Sequence, residues 1–311
     1  NVSRGSTRAR SLSQEDRITI MDKESANTAG TLFPRADRYL LSITIIWGST
    51  FAVTKNALGD ISPMLLQGTR FALAALIVGI YTRKDLRASA AKTMRDGLIL
   101  GLYLGGGFAL QTIGLTMTSA SKAGFLTGTL VVFTPLLQLA IERRMPSWAN
   151  ALGVLIVGAG LYVFTSPAGS EFTLGDALVL LCAVIFSFHV VYLDVFTKAH
   201  FHREIVFYQF VVTSVIGFAL WPFVPSVPTT FTPAVLLSIL YLATFASAFA
   251  IFILTKYQRE TSPTHAAIIY TMEPVMAAII AALWLGDVLS GTAALGAGIM
   301  LAGLLVSELS P

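Results

Sequence analysis

Glu273, followed at once by Pro274 near the middle of an apolar run, carries the densest chemistry in this chain. An ionisable side chain inside such a run costs a few kcal/mol to insert and is a functional candidate for that reason. The proline has no N–H and leaves the carbonyl one turn back without its helical donor. A carboxylate and bare backbone polarity therefore meet at one level, which suits proton coupling or amine binding. The structural alternative is a fixed ion pair or a neutral, hydrogen-bonded acid. Arg70 lies in a second apolar run. It can grip a solute carboxylate with two parallel hydrogen bonds, or serve as a permanent partner of Glu273 or of a helix-end carbonyl. Trp47 sits in the triplet WGS, Tyr270 falls one turn before Pro274, and Tyr192 follows His189 by one turn in SFHVVYLD. Such aromatics wall an apolar cavity with polar tips, or else form packing and interface belts.

His189 titrates near neutral pH and suits a proton relay, against the simpler role of a hydrogen bond to a neighbouring helix. Gln209 stands where Arg70 recurs by register. Lys122 opens a run beside the turn TSAS, where its long stem can snorkel to the interface. His265 holds the matching place beside TSPT. Asp194 and Lys198, one turn apart, form an expected structural pair.

The elements that must position these groups are ten apolar runs: 39–58, 63–82, 96–117, 121–142, 147–165, 174–197, 204–224, 233–255, 263–285 and 290–308. About twenty apolar residues span a hydrocarbon core of roughly 30 Å. The predicted class is all-α integral membrane, with ten transmembrane helices. Breakers mark the short connections: Pro63, Pro146, Pro167-Ala168-Gly169, Pro225 with Pro228, and Pro263. Arginine and lysine crowd alternate loops, from Arg83, Lys84 and Arg87 to Arg143, Arg144, Arg203 and Arg259. The positive-inside rule then puts both termini in the cytoplasm.

The last five runs repeat the first five. TSAS at 118–121 and TSPT at 261–264 are 143 positions apart, as are Gly153 and Gly296, and Gly160 and Gly303. Pro135 and Pro274 are 139 apart, as are Trp47 and Phe186, and Arg70 and Gln209. The two offsets differ by about one helical turn. An odd number of spans per half inverts the second half, which predicts two inverted five-helix repeats around a midplane solute site. The predicted divisions are a mobile polar tail at 1–36, a first repeat at 37–168 and a second at 172–310. The tail lacks the apolar core of a secretory signal, and Met21 is the expected native start.

The stretch from TSASKAGFLTGT to VLIVGAGLYV resembles the end of the first EamA domain of drug/metabolite transporters. The stretch from TSPTHAAIIYTMEP to GIMLAGLLV resembles the end of the second. IIWGSTFAVTK and GTRFALAALI look like that family's first and second helices. Asp287 departs from the family pattern, which has glutamate after leucine-glycine. The resemblance covers residues 39–308 and implies a ten-helix carrier moving small metabolites, commonly outward, without ATP. It also implies, in part, a cavity lined by the first, second, fourth, sixth, seventh and ninth spans.

Composition bounds the rest. Hydrophobic residues make up 55% and charged residues 12%, about half the charge of a soluble domain, and mean hydropathy is +0.73. The net charge of +4 is explained by topology, with no nucleic-acid partner implied. One cysteine, Cys182, allows no internal disulfide or CxxC site. No GxxxxGK[ST] loop supplies nucleotide hydrolysis, no HExxH pair suggests a metalloenzyme, and no cofactor or metal is called for. Gly105-Gly106-Gly107 reads as helix packing. Gly/Ala-rich runs five and ten suit tight helix contact or a homodimer interface. The expected function is a secondary active exporter of small amphipathic metabolites, such as amino acids or drug-like compounds, in the cell inner membrane. It would be driven by a proton or an exchanged solute, and it is not an enzyme. The rivals are a membrane-embedded transferase, which would need a His/carboxylate cluster, a sensor that binds without moving its solute, and an exchanger or importer.

Overall fold

Every regular element among the described residues is a helix, because runs this apolar must satisfy their backbone groups internally. The computed structural model describes residues 34–165, 172–198, 203–224, 228–285, 290–307 and 309. The tail up to residue 33 with Met21, the turn Pro167-Ala168-Gly169, Pro225 and Asp287 lie outside the described residues. The helices are α1 (Arg35–Ala57), α2 (Pro63–Arg87), α3 (Ala91–Met117), α4 (Ala120–Gly128), α5 (Leu130–Glu142), α6 (Trp148–Thr165), α7 (Leu174–Thr197), α8 (Glu204–Leu220), α9 (Pro233–Tyr241), α10 (Ala250–Tyr257), α11 (Pro263–Tyr270), α12 (Glu273–Leu285) and α13 (Gly291–Ser307). Among the described residues, six stretches are long and apolar enough to cross a membrane: Pro63–Arg87, Ala91–Met117, Lys122–Glu142, Leu174–Thr197, Glu204–Phe223 and Pro233–Glu260. Trp148–Phe164 and Gly291–Ser307 are shorter apolar helices.

The helix ends follow local chemistry. Pro63, Pro233 and Pro263 each stand in a first turn, where the missing N–H is not needed. Thr173 and Asp176 cap α7 reciprocally: Asp176 N–H donates to Thr173 Oγ1 at 3.2 Å and Thr173 N–H to Asp176 Oδ2 at 2.7 Å. Ser119 caps α4 by accepting from Lys122 N–H at 3.2 Å, and Ser262 caps α11 by accepting from His265 N–H at 3.1 Å. Those caps recur at the TSAS-to-TSPT offset. Lys55 Nζ donates to the carbonyls of Leu115 and Thr118 at 2.6 and 2.8 Å. It thereby satisfies the negative end of α3.

Two of the predicted continuous runs are interrupted. The fourth breaks at Thr129, whose hydroxyl donates to Leu126 O at 2.5 Å. The ninth breaks at Thr271 and Met272, with the Thr271 hydroxyl donating to Ile268 O at 2.6 Å. The eighth changes pitch: Leu242–Phe249 is a π-helix between α9 and α10. Wide π turns inside helices recur at functional sites.

Close packing comes from glycine where two backbones meet. On α6 and α13 a Cβ at Gly153 would lie 3.0 Å from Gly303 O, and one at Gly160 would lie 3.0 Å from Gly296 O. The contact is reciprocal, since Gly153 matches Gly296 and Gly160 matches Gly303. Each glycine thus meets the counterpart of the other, within the chain. Likewise α3 lies against α8 through Gly97 and Gly101, and against α7 through Gly114 and Gly175.

Candidate functional site

Between these helices lies a cavity of about 70 Å³, lined mostly by apolar side chains with a few polar groups among them, as small-molecule sites are. The break after Tyr270 and the turn to Glu273 bring both side chains to its wall, and Gly48 makes that possible. A Cβ there would stand 2.7 Å from Ala277 N and 3.0 Å from Glu273 O, so only glycine lets α1 lie against the start of α12. Trp47 faces the same space, edge to Tyr270 with ring centroids 5.8 Å apart.

Arg70 reaches the cavity from α2 with 6% of its surface exposed. Its Nε donates to Ser247 Oγ at 2.7 Å, and its guanidinium lies 4.8 Å from the Phe108 ring centre and 5.0 Å from that of Phe71. Both contacts favour a fixed, charged guanidinium. The π segment supplies this hold. It presents Ser247 to Arg70, and its Ala246 carbonyl accepts from Trp47 Nε1 at 3.1 Å. Glu273 lines the cavity and is only partly buried. Among the described residues it makes no ion pair with Arg70 and no side-chain hydrogen bond. Arg70 and Glu273 thus line one apolar space without closing on each other.

His189 also lines the cavity, and its Nε2 lies 2.8 Å from Gln209 Oε1. Gln209 stands behind it and is fully buried. Tyr270 donates its hydroxyl to Gln258 Oε1 at 2.9 Å, and Gln258 Nε2 donates to Val190 O at 2.7 Å. The ring of Tyr270 is therefore presented to the cavity while its polar tip is occupied.

Three predicted site residues lie elsewhere. Tyr192 stacks on Tyr103 and Phe196, with centroids 5.4 and 5.5 Å away. Lys122 Nζ pairs with Asp176 Oδ2 at 2.7 Å, beside Thr118 Oγ1, which donates to Oδ1 at 2.6 Å. His265 Nε2 lies 3.3 Å from Asp37 Oδ2, with its Nδ1 2.6 Å from Ser307 Oγ. These two pairs correspond: Lys122 and His265 are 143 positions apart, Asp37 and Asp176 139. Lys198 and Asp194 pair at 3.2 Å.

The lining differs from expectation in its helices. The third and eighth runs contribute Leu104, Phe108, Gln111, Ile251 and Leu254, whereas the seventh reaches the site only through Gln209. Residues missed in sequence include Thr50, Phe108, Gln111, Thr127, Leu130, Phe186 and Ser247. Register was the available signal. Trp47 with Phe186 and Thr50 with His189 share the 139 offset. Phe108 with Ile251, Gln111 with Leu254, Thr127 with Tyr270, and Leu130 with Glu273 share the 143 offset. All twelve line the cavity. The charges break this correspondence, because Arg70 answers to Gln209 and Glu273 to Leu130. No group of His, Cys, Asp and Glu suited to a metal ion occurs among the described residues.

Comparison with known proteins gives the family. The model of the EamA-like transporter family matches twice, over residues 35–166 and 173–309. The chain is similar to an "uncharacterized transporter" of Archaeoglobus fulgidus, 28% identical over 92% of this chain and 90% of that protein. It is also similar to an S-adenosylmethionine/S-adenosylhomocysteine transporter of Chlamydia muridarum, 30% identical over 38% of each chain. A solved crystal structure superposes with a TM-score of 0.71 at 17% identity, covering 88% of this chain and 96% of its own, and so shares the fold. With one family model matched twice over most of its length, the chain belongs to the EamA-like transporter family and is a multi-pass membrane transporter.

Proposed function

We propose that the protein is a secondary carrier that exports a small amphipathic solute by alternating access, without ATP. The observation that carries this is the unbridged placement of Arg70 and Glu273 on one aromatic-walled cavity. Arg70, held by Ser247, takes an anionic group of the solute. Glu273 takes a cationic group or a coupling proton, and Trp47 and Tyr270 take the apolar body. His189, braced by Gln209, sets the polarity of the opposite wall. A solute with both an ammonium and a carboxylate fits this lining, as amino acids do. S-adenosylmethionine, named for the Chlamydia relative, carries both groups as well.

In this reading ten spans form two inverted repeats, 37–168 and 172–310. The six register-matched lining pairs, the matched caps at Ser119 and Ser262, and the reciprocal glycine contact of α6 with α13 support it. Both termini lie in the cytoplasm of a cell whose inner membrane holds the carrier, as the loop charges favour. The halves rock against each other to expose the cavity to each side in turn.

The test is uptake by purified protein in ATP-free proteoliposomes, screening amino acids and cationic dyes with and without a pH gradient. Solute accumulation that collapses with the gradient, or strict exchange with trapped solute, is the expected result. Saturable binding without flux of any solute would make the protein a sensor and refute the carrier reading.

A further inference from the structure

A second concavity lies on the outer side of α2. It is an open groove of about 430 Å³ between Val78 and Tyr81 on one bank and Thr244, Ala248, Phe249 and Phe252 on the other. Its position is set by the π-helix, whose wide turn puts small Ala248 on the floor beside Val78, both buried. Tyr81 and Phe249 rise beside it, 63% and 51% exposed. Both banks belong to stretches long enough to cross a membrane, so the groove opens toward hydrocarbon.

One end of this groove is cationic. Arg203 Nη1 donates to Tyr81 Oη at 3.5 Å, and its guanidinium lies 5.8 Å from the Tyr81 ring centre. No carboxylate pairs with Arg203 among the described residues. Lys256 follows Phe252 by one turn on the same helix, its Nζ 4.8 Å from the Tyr257 ring centre. Tyr81, with Phe252 edge-on at 5.8 Å, joins the trench and Arg203 to the last turns of α2, which carry Lys84 and Arg87.

We propose that this groove binds one anionic phospholipid. Its acyl chain lies in the trench, and its phosphate is held by Arg203 and Lys256. Charge complementarity chooses the headgroup: basic residues at a membrane surface attract anionic lipids, and a guanidinium is matched to phosphate oxygens. The apolar lining chooses an acyl chain over a free phosphate. Ala248 forms the floor while its neighbour Ser247 holds Arg70 on the inner side. The lipid thereby braces the wall on which the solute site is built. This inference is independent of whether the protein moves its solute.

Native mass spectrometry of the full-length chain, released from detergent with phosphatidylglycerol or phosphatidylcholine of equal chain length, tests it. The expected result is one tightly held phosphatidylglycerol, retained at about tenfold lower lipid concentration than phosphatidylcholine. Arg203→Gln with Lys256→Gln should abolish that preference in a protein that melts normally. Ala248→Phe, or Val78→Phe should the first fail to fold, should lose the bound lipid with either headgroup. Equal retention of the two lipids, or unaltered binding in the groove-filling variants, would overturn the proposal. So would full competition by glycerol 3-phosphate, which would mean a headgroup site without a chain. A lipid-dependent dimer mass would make the occupant a second copy of this chain and overturn it too.

Discussion

Ser247→Ala removes the hydroxyl that receives Arg70 Nε at 2.7 Å. Arg70 is 6% exposed and Ser247 fully buried, so water has little access to replace the lost acceptor. A hydrogen bond to a charged group contributes about 1.5–3 kcal/mol. At about 1.4 kcal/mol per tenfold, that corresponds to one to two decades. The ring contacts of Arg70 at 4.8 and 5.0 Å remain, and each contributes about 0.5–2 kcal/mol. The guanidinium therefore stays near the wall but loses its orientation, and the expected loss lies near the lower bound. The prediction is a rise in KM of about tenfold for solutes bearing a carboxylate, and a smaller change for those without one. Initial rates in proteoliposomes measure it. Ser238→Ala serves as the control, since that exposed hydroxyl donates only to Ala234 O. A Ser247→Ala protein that melts normally and keeps its KM within twofold would refute the idea that the π segment aims Arg70.

Other consequences follow from the same packing. Lys122→Met strands the fully buried Asp176 beside Thr118; a loss of about 3 kcal/mol in unfolding free energy is expected, largely restored by Arg, and denaturant titration in detergent would show it. Gly160→Leu adds a side chain whose Cβ alone would stand 2.8 Å from Met300 N. It should cost at least about 1–3 kcal/mol by overpacking, whereas Gly298→Leu, with nothing within 4 Å, should be neutral by the same assay. Glu273→Gln should flatten the pH dependence of flux. In the wild type, flux of a cationic solute rises with pH as the carboxylate sheds its proton and gains charge. Unchanged pH profiles in the variant would remove Glu273 from coupling.

Much of this was legible in the chain because duplication leaves a register, and register survives where residue identity does not. The 143 and 139 offsets, visible in TSAS with TSPT and Trp47 with Phe186, also relate residues that no chemical argument would select, such as Leu130 with Glu273. Polarity inside an apolar run marked Glu273, Arg70 and His189, since such groups need a reason to be there. Rotation about a helix was harder to read. Tyr192 follows His189 by three residues, about 60° off the same face at 3.6 residues per turn. That is enough to carry its ring out of the cavity and onto Tyr103. Lys122 and His265 were visible as polar side chains in apolar runs, but the aspartates that receive them come from distant helices. Ser247 was hidden in LATFASAF, where nothing local announces a π turn. The wide turn changes the helical periodicity at that point.

The central claim is that one charged, aromatic-walled cavity moves its solute across the membrane rather than merely binding it. Counterflow in ATP-free proteoliposomes tests this most directly, with trapped unlabelled solute drawing in labelled solute against its gradient. The account predicts transient accumulation by the wild type and its loss in Arg70→Gln protein that melts normally. Binding without counterflow, or undiminished counterflow in the variant, would contradict it.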